Sequence, residues 1–299
     1  MKKTLFCALV LGSSLFAEDE TPVFAGTLLT YISENAEPGH LIYQPVLFVT
    51  GFYGVYNKHW KEKDRKTIGQ VDLNTTLETG ITKNFDISVI FDGFYNRYRG
   101  RGTVLYGDTE VDLGWQISRD KKDSWVPDAR LLVGEIFPTG KFQHLDPEKG
   151  GSDISGAGSY VTVVVGVIQK IFYVWPNHPC NFNLNLIYFW PTKVKVSGLN
   201  VYGNGEGTAS PGNHFIADLG LEYKFDKYWG AGTDFRYEHQ GKSSFKRGGL
   251  PSSEIFSLAP SLEYNFSENL TLAWGAWFSV AGRNSLAFAS GVVNLYCNF

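Results

Sequence analysis

The feature that most restricts the fold of this chain is an alternation of apolar and polar residues in long runs. In the segment 213–225, Leu219 and Tyr223 fall on one face, whereas Asp218 and Glu222 fall on the other. A period of two is the pattern of a β-strand whose two faces meet different surroundings. Such runs exceed the roughly 5–6 residues that are usual in globular sheets, and they suit strands that cross a bilayer.

The composition favours strands over helices. The 299 residues include 22 Phe, 16 Tyr and 8 Trp but a single Met, which is the first residue. Aromatic residues favour strands, whereas helical bundles are typically richer in Leu, Met, Ala, Glu and Lys. Because the formal net charge of −3 leaves no broad basic surface, we expect no nucleic acid partner.

The alternating runs predict about 12 strands, within a range of about 10–14. Their starts are expected near His40, Thr67, Phe85, Thr103, Asp128, Ser159, Cys180, Asn213, Tyr228, Glu254, Leu270 and Ser285. Short connections alternate with long ones, which lie near 139–158, 196–212 and 240–253. Residues 40–299 are therefore predicted to form an all-β fold, a transmembrane antiparallel β-barrel with short periplasmic turns and long extracellular loops.

The N-terminus has the pattern of a cleaved signal peptide. Lys2 and Lys3 precede an apolar stretch over 5–16, and small residues follow at the expected cleavage site, so residues 1–17 are assigned to the signal. Residues 18–39 are polar and are expected either to hang in the periplasm or to plug the bore. No later apolar run approaches the roughly 18 residues of a membrane helix, so the exported chain is either soluble or a barrel.

A soluble β-sandwich is the main alternative to a membrane barrel, because it also alternates apolar and polar residues. Its strands are shorter, and its loops need not alternate in length. The chain also ends on Phe299, and a terminal Phe on a strand resembles the signal by which Gram-negative outer-membrane proteins are recognised for insertion. Cys297 departs from that pattern, since an aromatic residue is common there. We therefore expect a bacterial outer-membrane location and a contact between Phe299 and the barrel-insertion machinery.

The middle of the chain carries a closer likeness. A strand that begins with Gly107 and Asp108 is followed by an apolar strand that ends in Pro138, Thr139 and Gly140, and then by a Gly-rich loop. This order resembles the outer-membrane family labelled "MetA-pathway of phenol degradation". The resemblance implies a transporter or channel for small, apolar or aromatic compounds, and it implies no catalytic residues and no cofactor. Passive uptake through a porin-like barrel is therefore the leading function. A structural or adhesive surface barrel that acts through its long loops is the second hypothesis.

If the apolar faces of the strands meet lipid, the polar faces line the lumen. The candidate lumen residues are Asp72, Glu78, Asp108, Glu110, Asp112, Glu135, Asp218, Glu222, Lys224, Asp234, Arg236 and Glu263. Most of them are acidic, and a passage lined by carboxylates favours cations or neutral solutes over anions. The alternative is that these charges pair with one another and fill a narrow bore.

Basic residues cluster near the first predicted loop. The candidates for contact with lipopolysaccharide phosphates are Lys58, Lys61, Lys63, Arg65 and Lys66. Acidic residues are interleaved with them, so a solvated charged loop explains the same pattern.

An outer-membrane lipid hydrolase is the third hypothesis. The segment 237–244 contains His239 and Ser243 but lacks the spacing that such enzymes use, and a polar loop explains it better. The six histidines show no metal-ligand spacing, so no metal site is predicted. Cys180 and Cys297 fall on strands that are nearly opposite in the barrel, and we expect two free thiols.

Overall fold

The computed structural model describes residue 24 and residues 26–121, 124–175 and 178–299. The predicted signal peptide lies outside these residues. The twelve long strands are β1 (Leu41–Tyr56), β2 (Glu62–Thr82), β3 (Phe85–Tyr98), β4 (Arg101–Tyr106 and Thr109–Ser118), β5 (Asp128–Phe137), β6 (Val161–Trp175), β7 (His178–Pro191), β8 (His214–Lys224), β9 (Trp229–Gln240), β10 (Ser253–Ser267), β11 (Leu270–Arg283) and β12 (Leu286–Asn298).

Every long strand pairs antiparallel with its sequence neighbours, and the first strand closes the sheet on the last. Val49 of β1 lies opposite Val71 of β2 on one side and opposite Gly291 of β12 on the other. Closure removes every sheet edge, so the backbone hydrogen bonds of the wall are made between strands. The predicted all-β fold and the predicted count of about twelve strands are confirmed. The largest difference in a strand start is in β2, which begins at Glu62 rather than near Thr67.

The outer face of the barrel is apolar. Leu113 is 56% exposed and Phe235 is 46% exposed, although both occupy the middle of long strands. Aromatic side chains gather near both ends: Trp229 packs against Tyr264 at a centroid distance of 4.9 Å, and Tyr237 packs against Phe256 at 4.8 Å. An apolar band between aromatic girdles is the surface that a membrane barrel presents to lipid. Within the described ranges, no helix has the length and apolar character needed to cross a membrane.

The two ends of the barrel differ. The short-turn end carries the tight turn at 83–84, the turn at 225–228 and the start and finish of the sheet. The long-loop end carries the connections 138–160, 192–213 and 241–252. By the usual arrangement of such barrels, the short turns face the periplasm and the long loops face outward.

The three long connections fold together into a loop cap, a name used here for residues 138–160, 192–213 and 241–252. A three-stranded sheet joins Val194–Val196, Gly207–Ser210 and Ser244–Phe245. The cap also contains a 3-10 helix, Pro147–Lys149, and a two-stranded ribbon of Leu199–Asn200 and Gly203–Asn204. Its buried core is formed by Val194, Val196, Tyr202, Ala209 and Phe245. The cap is therefore packed around its own apolar centre.

Candidate functional site

The interior of the barrel contains a cavity of about 1080 Å³. Its floor is formed by residues 28–31, which precede the first strand, and its roof includes Tyr202, Ser243 and Leu250 of the loop cap. Inward-facing side chains of the strands form its wall. The cavity is therefore bounded by an N-terminal stretch on the short-turn side and by the cap on the long-loop side.

The N-terminal segment, residues 26–38, lies inside the bore. The N–H of Tyr31 donates to the side-chain oxygen of Asn185 at 2.5 Å, and the carbonyl of Tyr31 accepts from Asn183 at 2.8 Å. Farther along, the N–H of Asn35 donates to Gln116 at 3.0 Å. Asn183 and Asn185 lie on β7, whereas Gln116 lies on β4. These contacts to separate parts of the wall satisfy backbone groups that would otherwise be buried without partners.

Two wall glycines make room for this segment. A Cβ atom on Gly80 would lie 2.3 Å from the carbonyl oxygen of Ala36, and one on Gly220 would lie 2.7 Å from Oγ1 of Thr27. Any larger side chain at either position would displace the segment. Of the predicted range 18–39, residues 18–23 and residue 25 lie outside the described residues.

Many of the predicted lumen charges form ion pairs deep in the barrel. Arg130 contacts Glu78 at 2.8 Å and Asp86 at 2.6 Å, and its own side chain is 1% exposed. Arg236 contacts Asp218 at 3.2 Å and Glu238 at 2.8 Å. The paired groups neutralise one another and fill much of the bore near the N-terminal segment.

Four more predicted lumen residues are bound by neighbours. Lys224 forms a buried ion pair with Glu263. Glu222 accepts a hydrogen bond from Asn181 at 2.6 Å, and Asp234 accepts one from the hydroxyl of Thr27. Since Thr27 belongs to the N-terminal segment, Asp234 links the wall to the floor of the cavity.

A separate group of carboxylates lines the cavity on the β2–β4 side. Asp72, Asp92, Asp108 and Glu110 all face it. Oδ1 of Asp72 and Oε1 of Glu110 are buried and have no hydrogen-bond partner within the part of the chain that is described. Asp92 accepts from Asn74 at 2.6 Å, and Asp108 accepts from the backbone N–H of Gly140 at 2.8 Å. Asp112, one step deeper on β4, accepts from Ser88 at 3.3 Å.

The neighbouring wall is aromatic. The ring centroids of Phe48 and Trp277 are 5.8 Å apart, those of Trp277 and Phe288 are 4.6 Å apart, and those of Phe52 and Phe288 are 6.2 Å apart. All four rings border the cavity. The cavity therefore presents carboxylates and aromatic rings on adjacent strands.

One predicted lumen residue lies on the other face of the wall. Ile136 borders the cavity, and a Cβ on Gly134 would strike the inward carboxylate of Asp112, so Glu135 between them points outward. The carboxylate of Glu135 accepts from the hydroxyl of Thr162 at 2.9 Å. The prediction that Glu135 lines the lumen is corrected by this register.

Sequence reasoning missed several interior charges, namely Asp86, Asp92, Arg130 and Glu238. Asp86 and Asp92 lie on one face of β3 with Ser88, so the period of two could have identified them as lumen residues. Ile90 and Phe94 share that inward face and made it look apolar.

The basic residues lie at the long-loop rim. Lys58 and Lys61 belong to the connection 57–61, whereas Lys63, Arg65 and Lys66 lie at the start of β2. The lysines among them are exposed, and Arg65 is half-buried. The predicted first loop is therefore shorter than expected.

The cap is held by an ion pair at its centre. Burial disfavours the charged form of Asp153, but the Lys141 ammonium at 2.8 Å and the N–H of Asp146 at 3.0 Å outweigh burial and lower the pKa of Asp153 below its ordinary value. Burial also raises the pKa of Tyr202 to about 12, and its hydroxyl donates to the carbonyl of Ala157 at 2.8 Å. Both residues are therefore fixed parts of the cap at neutral pH.

The histidine and serine of the hydrolase hypothesis are not brought together. His239 lies 3.6 Å from Glu254, whereas the hydroxyl of Ser243 accepts from the N–H of Leu250. Cys180 and Cys297 are free thiols. Among the residues with assigned positions, no group of three or more His, Cys, Asp or Glu is arranged to hold a metal ion.

Comparison with solved structures identifies the architecture. The chain is similar to the COG4313 outer membrane channel from Pseudomonas putida F1, with a TM-score of 0.70 and 10% sequence identity over 90% of this chain and 99% of that chain. The fold is that of an outer-membrane β-barrel. Weaker likenesses include the NanC porin, with a TM-score of 0.47, 10% identity and coverage of 84% of this chain and 98% of that one. The CymD monoaromatic hydrocarbon channel has a TM-score of 0.43, 9% identity and coverage of 92% and 94%. These two likenesses carry no argument about function. No protein-family model matches the sequence, and no curated protein matches it.

Proposed function

We propose that this protein is an outer-membrane channel for the passive uptake of small solutes. The observation that carries the proposal is the cavity of about 1080 Å³ inside a barrel whose outer face is apolar. A cavity of this size is large enough for a small organic molecule. The resemblance of the Gly-Asp and Pro-Thr-Gly segments to the phenol-degradation family supports apolar or aromatic solutes, and so do the aromatic rings on the cavity wall.

The charge of the lumen determines which solutes the proposed channel prefers. Interior carboxylates outnumber interior cations, because Arg130, Arg236 and Lys224 face a larger set of acids. A negative lumen lowers the energy of cations and raises that of anions. The channel is therefore proposed to pass cations and neutral solutes in preference to anions.

The N-terminal segment controls the proposed route at the short-turn end. It occupies the bore and contributes Leu28 to an apolar cluster with Val46, Ala259 and Val292. Movement of this segment, rather than of the wall, is the simplest way to open a path.

The proposed setting is the bacterial outer membrane after export by residues 1–17. Phe299 is the proposed contact for the barrel-insertion machinery. Lys58, Lys61, Lys63, Arg65 and Lys66 are proposed to bind lipopolysaccharide phosphates at the long-loop rim, where Arg97, Arg99 and Arg101 are also exposed. No cofactor is proposed.

Conductance in planar bilayers tests the proposed function. The full chain is compared with a variant that lacks residues 18–36, and heat-dependent mobility on denaturing gels checks that each barrel is folded. We expect a small conductance for the full chain and a larger one for the deletion variant. If neither folded protein conducts and neither allows liposome swelling by small neutral solutes, the channel proposal fails, and the surface-protein hypothesis takes its place.

A further inference from the structure

We propose that the cavity is a binding site for protonated amines that carry an aromatic or apolar body. The inference deepens the proposed channel function, since a solute must enter the barrel to reach this site. It assigns a chemical class of ligand to one part of the wall, where β1, β2, β3 and β4 meet.

The strand register places a ring beside a carboxylate. Phe48 of β1 lies directly opposite Asp72 of β2, and Asn74 of β2 lies directly opposite Asp92 of β3. Side chains of directly opposite residues on one face are about 4.5–5.5 Å apart at Cβ. Phe48, Asp72 and Asp92 therefore form one continuous surface.

The carboxylates on this surface have unused acceptor capacity. Oδ1 of Asp72 and Oε1 of Glu110 are buried without a hydrogen-bond partner in the described part of the chain. A buried acceptor without a donor costs free energy, and a ligand that donates to it recovers that cost. An ammonium group has three N–H donors and no acceptor, so it matches a surface made of acceptors.

The interior cations do not already satisfy these acids. Arg130 contacts Glu78 and Asp86, and Arg236 contacts Asp218 and Glu238. Within the described ranges, Asp72, Asp92 and Glu110 take part in no ion pair. An ammonium group on a solute would supply the positive partner that the described residues do not.

The solute is an organic cation rather than a metal ion. In the positions that are described, these carboxylates are not arranged as a metal-binding group. The adjacent rings of Phe48 and Phe288 offer an apolar surface to the rest of the molecule, whereas the Trp277 ring already contacts the guanidinium of Arg236 at 5.7 Å. Aromatic rings also attract cations at close range.

The same surface discriminates against related solutes. A neutral alcohol with the same body donates one hydrogen bond in place of three, and it leaves the negative charge uncompensated. A carboxylate of the same shape is repelled. A small ammonium ion without a ring forgoes the apolar contact.

Calorimetric titration of the full chain in detergent tests this inference. The probes are benzylammonium, benzyl alcohol, benzoate and methylammonium. We expect benzylammonium to bind at least about tenfold more tightly than benzyl alcohol or methylammonium, and we expect no binding of benzoate. The double variant Asp72→Asn/Asp92→Asn should lose at least about tenfold in benzylammonium affinity.

Two further variants keep the test specific. Glu135→Gln removes an outward carboxylate and should leave every affinity unchanged. Phe48→Ala should weaken benzylammonium but not methylammonium. Equal affinities for benzylammonium and benzyl alcohol, or an unchanged affinity in the Asp72→Asn/Asp92→Asn variant, would overturn the inference. Binding without flux would overturn the channel instead, and flux without this preference would overturn only the inference.

Discussion

At the scale of single residues, Arg130 connects two strands and the N-terminal segment, and the alternation of apolar and polar residues does not reveal this role. Its guanidinium contacts Glu78 of β2 and Asp86 of β3, and it also donates to the carbonyl of Ile32 at 3.1 Å. The side chains of Arg130 and Asp86 are 1% and 0% exposed. A charge that is so completely buried is tolerated only because it is paired, here with two carboxylates and a backbone carbonyl.

Replacement of this residue should therefore be costly. Arg130→Met leaves Glu78 and Asp86 buried without a cation, and we expect the barrel to lose about 3–5 kcal/mol of unfolding free energy. Urea unfolding in lipid, followed by heat-dependent gel mobility, measures the loss. The matched control is Arg101→Met, which breaks an ion pair whose side chains are 58% and 69% exposed and should cost less than about 1 kcal/mol. Equal losses of unfolding free energy in the two variants would show that the buried ion pairs contribute no more to stability than the exposed one.

Prediction of single lumen residues depends on whether the alternation of apolar and polar residues shows which of them face inward. The inward face is clear along β8, where Asp218 and Glu222 separate apolar residues. It is not clear along β5, where Leu131, Leu132 and Val133 follow one another. Leu132 faces inward there, because that side of the bore is packed with apolar side chains. This is why Glu135 was assigned to the wrong face and why Arg130 was missed.

At the scale of elements, the N-terminal segment is held by shape as well as by hydrogen bonds. A Cβ on Gly220 would lie 2.7 Å from Thr27 and 3.1 Å from Thr30. We therefore expect Gly220→Val to push the segment from its place and to raise the single-channel conductance several-fold. Gly291→Val is the control, since nothing lies within 4 Å of a Cβ at Gly291. An unchanged conductance in a folded Gly220→Val barrel would mean that the segment does not limit the path.

The loop cap should respond to acid. The pKa of Asp153 is lower in the folded cap than its ordinary value of 3.8, so its interaction with Lys141 stabilises the cap at neutral pH. That contribution is lost as the pH falls through the folded pKa, because the protonated carboxyl no longer attracts the ammonium. We expect amide exchange in residues 192–213 to accelerate below about pH 4, and the Asp153→Asn variant to exchange faster already at pH 7. Glu148→Gln removes an exposed carboxylate from the same loop and should exchange like the parent. A parent-like exchange rate in Asp153→Asn would exclude this ion pair as the support of the cap.

Neither the loop cap nor the position of the N-terminal segment can be predicted from a local sequence pattern. The cap sheet joins residues that are far apart in sequence, such as Ala209 and Phe245. The segment meets strands on several sides of the bore through backbone groups, which carry no sequence signal. The strands were predictable because two solvents, lipid outside and a polar lumen inside, impose a period of two on each of them.

At the scale of the whole molecule, the separation of faces produces a barrel that is apolar outside and negative inside. The sequence predicted this separation from its strands, but it did not predict which acids would be neutralised by pairing. Arg130, Arg236 and Lys224 each neutralise acids near the floor, whereas Asp72, Asp92 and Glu110 on the cavity wall take part in no ion pair within the described ranges. The net field in the cavity therefore comes from these acids together with Asp108 and the Arg236 guanidinium, which also line it.

That field should make the open barrel prefer cations. We expect the variant without residues 18–36, in a gradient of potassium chloride, to show a reversal potential of the sign that marks cation preference. Charges act over a Debye length of about 10 Å at 0.1 M salt and about 3 Å at 1 M, so the preference should fall as salt rises. The further change of Asp72, Asp92 and Glu110 to their amides should reduce the preference at low salt, whereas Glu135→Gln should not, because its carboxylate faces away from the lumen. A preference for anions, or one that the three amide changes leave intact, would mean that charges elsewhere in the barrel govern passage.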